Sequence, residues 1–161
     1  MGSGKSYVGA RLALLLGLPF IDLDERIESA AGKSISAIFA NEGEGMFREY
    51  ERQALRACEK MEAAVIATGG GTPCFHEGMD WMNAHGITVF LDPTLSILLA
   101  RLEHGREHRP LLQTQEAFRE NITRRLDARR PIYEKAQLQL RVTDPKADVA
   151  RYLYEYLSPG E

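Results

Sequence analysis

No apolar run approaches the ~18 residues that a membrane-spanning helix needs, and the chain carries nothing resembling a secretory leader. Export and membrane insertion therefore find no support. Cysteine is scarce: Cys58 and Cys74 have neither metal-ligand spacing nor the density of a disulfide scaffold, so a reducing cytoplasm suits them. An excess of one charge is lacking too. With 20 basic and 23 acidic residues interspersed, the net charge of −3 gives no polyanion-binding signature, and nucleic acid is not an expected partner. The four histidines, His76, His85, His104 and His108, form no ligand motif. Repeats, low-complexity tracts and interdomain linkers are absent, so residues 1–161 read as one domain of a size that can build its own core.

What the chain does have stands at its very start. Met-Gly-Ser-Gly-Lys-Ser, residues 1 to 6, is the second half of a phosphate-binding loop without its leading glycine. Gly2 and Gly4 let the backbone approach phosphate oxygens, Lys5 can reach the β/γ-phosphates, and the Ser6 hydroxyl can ligate Mg²⁺. A helix over 7–16 would turn the positive end of its dipole toward them. A flexible Gly/Ser tag ahead of a helix is the competing reading. Because such a loop normally follows a central strand, the sequence predicts that an apolar strand belongs upstream of Met1.

Strand and helix patterns then alternate, the mark of an α/β domain with a parallel sheet. Strands are expected at 18–23, 63–68, 87–91 and 138–142. Helices are expected at 25–31, 34–41, 47–60, 94–102, 116–130 and 146–157. The polar, arginine-rich stretch 103–115 reads as a mobile segment.

Three groups of residues carry chemistry. Asp22 and Asp24 alternate at the end of the first expected strand, which would put both carboxylates on one face at the carboxyl end of the sheet. One could hold Mg²⁺ through water and the other orient a hydroxyl for attack; a helix cap with a solvated neighbour is the alternative. Gly69, Gly70 and Gly71 follow an apolar strand, and three glycines in a row suit close backbone approach to a ligand or an unusual turn. Arg48, Arg109 and the pair Arg129-Arg130 offer guanidinium forks for a carboxylate or a phosphoryl group, although most arginines are simply solvated.

Taken in order, these motifs resemble the shikimate kinase family over essentially the whole chain. The matching segments are Gly-Ser-Gly-Lys-Ser at 2–6, Asp-Leu-Asp at 22–24, Gly-Lys-Ser-Ile-Ser-Ala-Ile-Phe at 32–39 and Gly-Met-Phe-Arg-Glu-Tyr-Glu at 45–51. Gly-Gly-Gly at 69–71, Arg-Pro-Leu-Leu at 109–112 and Arg-Arg-Pro-Ile-Tyr at 129–133 complete them. The resemblance implies a P-loop NTPase fold, a nucleoside-monophosphate-kinase-like parallel sheet flanked by helices, with its N-terminal strand missing ahead of residue 1. It implies ATP-dependent phosphorylation of the 3-hydroxyl of shikimate on the way to chorismate and the aromatic amino acids, with ATP as co-substrate and Mg²⁺ as cofactor.

Carried over by residue, Asp24, Arg48, Gly70 and Arg129 are the shikimate-binding set, with Gly69 and Gly71 flanking. Gly2, Ser3, Gly4, Lys5, Ser6 and Tyr7 contact ATP; Ser6 ligates Mg²⁺, and Asp22 holds it through water. Lys5, Asp24 and Arg109 are the catalytic residues, Arg109 on a lid at about 103–115. Arg101 lies against adenine and Pro145 beside it, while Arg130 receives no role. The resemblance further implies a cytoplasmic monomer acting on small molecules. A related kinase of the same fold, such as a gluconate kinase, and a catalytically silent binding domain are the alternatives.

Overall fold

The structure is a computed structural model that describes residues 2–104 and 115–158. Its contacts divide the chain into two compact units, one formed by Lys5–Gly78 with Asp148–Glu161 and the other by Met1–Gly4 with Met79–Ala147.

In the first unit, helix α1 (Lys5–Leu16) begins directly after the glycines of the phosphate loop. It stops at Gly17, whose φ of 65° is left-handed; Leu18 N–H returns to the Ala13 carbonyl at 2.9 Å and Gly17 N–H to that of Leu14 at 3.3 Å. Strand β1 (Phe20–Asp22) pairs in parallel with β2 (Val65–Ala67), with Ile21 opposite Ile66. Helix α2 (Leu23–Ala31) follows β1 without a loop, because the Asp22 carboxylate caps it by accepting Asp24 N–H at 3.0 Å. Gly32, at φ 66°, ends it.

Helix α3 (Ile35–Ala57) is capped by the Ser34 hydroxyl and broken in its course at Gly43, which has φ 82°. Two helices separated by a linker are expected from sequence; a single non-helical residue separates them instead. Leu23, Ile27 and Ile38 are fully buried, and Ile27 and Ile38 pack with Phe47 into the core that joins α2 to α3. Each such side chain contributes roughly 1.5–3 kcal/mol. Helix α7 (Val149–Leu157), capped by Asp148, packs on α1, and Arg11 of α1 reaches Asp148 at 2.7 Å.

In the second unit, β3 (Val89–Pro93) pairs in parallel with β4 (Leu138–Val142), with Leu91 opposite Leu140. The sequence reading ends the earlier strand at residue 91. Pairing continues through Asp92 and Pro93, and Thr94, the residue after the proline, donates its N–H to the Val142 carbonyl at 3.0 Å, so the missing proline N–H does not end the ladder. Helix α4 (Gly78–His85), which the sequence reading omits, precedes β3, and α5 (Leu95–His104) follows it. Helix α6 (Gln115–Tyr133) runs past the expected end at residue 130 and takes Pro131 into its last turn, where the proline has no N–H to give the Asp127 carbonyl. Its Arg130 has a structural role: it grips Asp92 through Nη1 and Nη2 at 3.1 and 2.9 Å, while Arg141 of β4 approaches the same carboxylate at 2.6 Å. Partial burial alone would raise the Asp92 pKa, but the two arginines outweigh it and hold the carboxyl below its usual range.

Candidate active site

The phosphate loop has the backbone its glycines allow. Gly2 and Gly4 have φ of 63° and 90°, and a Cβ on Gly2 would stand 2.9 Å from the Leu102 side chain. Arg101 folds over this turn and donates from Nη1 to the Ser3 carbonyl at 2.9 Å, so its guanidinium holds the loop backbone. Lys5 opens α1, where free N–H groups and the helix dipole favour an anion. Ser6 Oγ donates to Asp22 Oδ2 at 2.7 Å. Tyr7 is 72% exposed, and Pro145 is exposed as well.

The expectation that Asp22 and Asp24 alternate on one strand is corrected. Asp22 ends β1, whereas Asp24 stands in the first turn of α2, because the Asp22 side chain caps the helix between them. Asp24 still faces the glycine loop: a Cβ on Gly69 would lie 3.4 Å from its Oδ1. Its carboxyl is held above the ordinary range, first by desolvation and then by the neighbouring charges of Asp22, Glu51 and Glu28; the Lys5 ammonium pulls the other way. A carboxylate whose charge is disfavoured is a better proton acceptor, and the Lys5 ammonium is the opposing charge that acts on it.

Arg48 is held on several sides. It is 8% exposed on α3, with its guanidinium 4.1 Å from the ring centre of Phe75 and 5.0 Å from that of Phe47. Nη1 donates to Glu51 Oε2 at 2.8 Å, and Nε and Nη2 donate to Glu44 Oε1 at 3.3 and 3.0 Å. Burial works against its charge, yet Glu51 and Glu44 overcome that and the guanidinium keeps its proton more tightly than in water. Glu51, 2% exposed, also accepts from Thr72 Oγ1 at 2.7 Å. Since Thr72 directly follows the triple glycine and returns its N–H to the Gly69 carbonyl at 3.2 Å, Glu51 fixes loop and guanidinium to each other. A Cβ on Gly71 would come within 2.7 Å of Arg48 Cζ, so only glycine fits against this arginine as it stands.

Glu44, Glu51, Thr72 and Phe75 are missed by the sequence reading. The i, i+3 spacing of Arg48 and Glu51 was a usable signal for one of them, once the helix face holding Phe47 and Leu55 is taken as buried. Arg129 is half-buried in α6 and belongs, with Gly2, Gly4, Arg101 and Pro145, to the second unit. Arg109 and nearly all of the expected lid at about 103–115 lie outside the described residues.

A glycine-built phosphate loop opening a helix, a lysine and a hydroxyl at its start, and parallel strands flanked by helices define a P-loop phosphotransferase. Comparison with known proteins agrees: the shikimate kinase family model matches residues 1–158. The shikimate kinase of Parabacteroides distasonis is 46% identical over 140 residues, covering 86% of this chain and 81% of that one. The crystal structure of shikimate kinase from Bacteroides thetaiotaomicron superposes with a TM-score of 0.90 at 35% identity, covering 98% of this chain and 93% of that one. Shikimate kinase from Acinetobacter baumannii in complex with shikimate gives 0.85 at 34%, covering 98% and 88%. The chain belongs to the shikimate kinase family.

Proposed function

We propose that this enzyme transfers the γ-phosphoryl group of ATP to the 3-hydroxyl of shikimate through the residues described above. The observation that carries the reading is the acceptor end of the first unit: Arg48, buried and aimed at Gly71, with Asp24 facing Gly69. Arg48 binds the acceptor's carboxylate, joined in this reading by Arg129. Asp24 holds ring hydroxyls and draws the proton from the one that attacks, helped by its raised pKa. Gly69, Gly70 and Gly71 admit the ring to the backbone.

Gly2, Ser3, Gly4, Lys5 and Ser6 hold the phosphates, and Lys5 balances the charge that grows on the transferring group. Tyr7, Arg101 and Pro145 are assigned to the nucleotide, and Arg109 to charge stabilisation during transfer. Ser6 Oγ and the Asp22 carboxylate, 2.7 Å apart, are hard oxygen donors beside the phosphate loop, a set that fits Mg²⁺ with water and phosphate filling its remaining positions. Ser6 would hold the ion directly and Asp22 through water; when bound, it neutralises charge on the β/γ-phosphates. We further read the protein as a cytoplasmic monomer without nucleic-acid or membrane partners. The near-balanced charge gives no polyanion-binding signature, and no helix among the described residues is long and apolar enough to cross a membrane.

The test is ADP release coupled to a spectrophotometric readout, with shikimate and with gluconate as acceptors. Shikimate should drive turnover and gluconate should not. Lys5→Ala should lower kcat by about a hundred- to a thousandfold, the ~3–4 kcal/mol of one charge preorganised for the transition state, with shikimate affinity nearly unchanged. Normal turnover by that variant would remove the phosphate-loop assignment.

A further inference from the structure

Arg48 carries more carboxylate than its charge requires. Glu51 takes Nη1 and Glu44 takes Nε and Nη2, while Asp24 adds another acid facing the same glycine loop. One guanidinium beside two glutamates is a net negative group, a poor reception for an anionic acceptor.

The two glutamates differ in how firmly they are held. The Glu51 side chain is 3% exposed and also anchors Thr72, whereas that of Glu44 is 59% exposed and has no other hydrogen-bond or ion-pair partner among the described residues. Glu44 stands between Gly43, where α3 leaves helical geometry, and Gly45; nothing packs within 4 Å of where a Cβ on either glycine would lie. It therefore stands where the helix is already interrupted and no neighbour packs against the backbone. The edge it covers, Nε with Nη2, is a two-donor edge that fits a planar carboxylate.

We propose that Glu44 sets the affinity for the acceptor: it stands in for the acceptor's carboxylate on Arg48 and gives up that edge when the acid binds. This rests on the assignment of Arg48 to the shikimate carboxylate. Displacing Glu44 costs every acid the same, so a simple acid, which gains one contact only by removing another, is left binding weakly. Shikimate also engages Asp24 and the glycine loop, and these contacts offset the displacement of Glu44.

The experiment compares the full chain with its Glu44→Gln variant by shikimate titration and steady-state kinetics. Cyclohexanecarboxylate serves as a plain acid and the carboxamide of shikimate as a neutral analogue. Glu44→Gln should tighten shikimate binding and lower its KM by about three- to tenfold, with kcat within about twofold. It should also become more sensitive to cyclohexanecarboxylate and gain nothing for the amide. Glu49→Gln removes the same charge from a neighbour paired with Arg52 and should not tighten binding. Shikimate binding by Glu44→Gln that is unchanged or weaker overturns the proposal, as does equal tightening by Glu49→Gln. Wild type binding shikimate and its amide equally well would instead overturn the Arg48 assignment, and this inference with it.

Discussion

Glu51 offers the sharpest test of how the acceptor site is held together. It is 2% exposed and joins Arg48 Nη1 to Thr72 Oγ1 at 2.8 and 2.7 Å. Glu51→Ala leaves a guanidinium only 8% exposed with the solvent-facing Glu44 as its remaining ion-pair partner. Removing one member of a buried pair costs about 3–5 kcal/mol, and the surviving Glu44 contact places this case near 3. For a chain of this size that is a fall in Tm of about 6–12 °C. Glu51→Gln separates charge from geometry. Its amide oxygen can accept from Arg48 while its NH₂ donates to the Thr72 hydroxyl, which rotates to receive it, so the guanidinium keeps its partner and only the Thr72 hydroxyl proton loses its acceptor. The loss is then the gap between a charge-assisted and a neutral hydrogen bond, about 1 kcal/mol, or about 2–4 °C. Thermal melts followed by circular dichroism measure both, and shikimate titrations should show the larger loss of affinity in Glu51→Ala. A Glu51→Ala melt within about 2 °C of wild type would refute the buried-pair argument.

Asp24, with its pKa raised, binds its proton more tightly in the folded state than in the unfolded chain. The stability this brings is complete below the unfolded value and is lost as pH rises through the folded one, so at neutral pH its charge is a net cost. Asp24→Asn should melt higher than wild type at pH 7, with the gap closing as pH falls through the carboxylate range, while turnover drops by about 10²–10⁴; a variant that melts lower at pH 7 would contradict this. Gly71 has φ −88° and ψ −21°, which any residue adopts, so Gly71→Ala adds only a methyl, aimed at the Arg48 guanidinium. Displacing that group from Glu51 should raise the shikimate KM by about tenfold or more, from ~1.5–3 kcal/mol of charge-assisted hydrogen bonding, and leave the KM for ATP unchanged; equal shikimate KM values would show that Arg48 adjusts freely.

The elements that sequence made legible are those whose signal is local. The strand at 138–142 appears with the expected bounds, because an alternating apolar run closed by Thr-Asp-Pro needs no distant partner to be recognised. Boundaries moved where a side chain overrode composition. Leu23 reads as the continuation of an apolar strand, yet the Asp22 cap turns the chain into α2 one residue earlier. Helix α4 escaped notice because Gly-Met-Asp-Trp-Met-Asn-Ala-His carries a weak apolar stripe and starts after His76 and Glu77, both with positive φ.

The same distinction separates the chemistry that could be read from the chemistry that could not. Lys5, Ser6, Asp22, Asp24, Arg48 and the glycines are legible because phosphate and carboxylate recognition dictates their residue types at short spacing. Glu51 and Thr72 answer to Arg48, and 21 residues separate them, so their pairing exists only after β2 returns the chain to α3. A buried arginine stays charged, so a buried acid is needed to offset its desolvation, and that acid needs a donor for its second oxygen. Once Arg48 is placed on the inner face of a helix, such partners are therefore required by electrostatics even before their positions are known. What the fold adds is their identity, and the surplus of a second, exposed glutamate that electrostatics did not require.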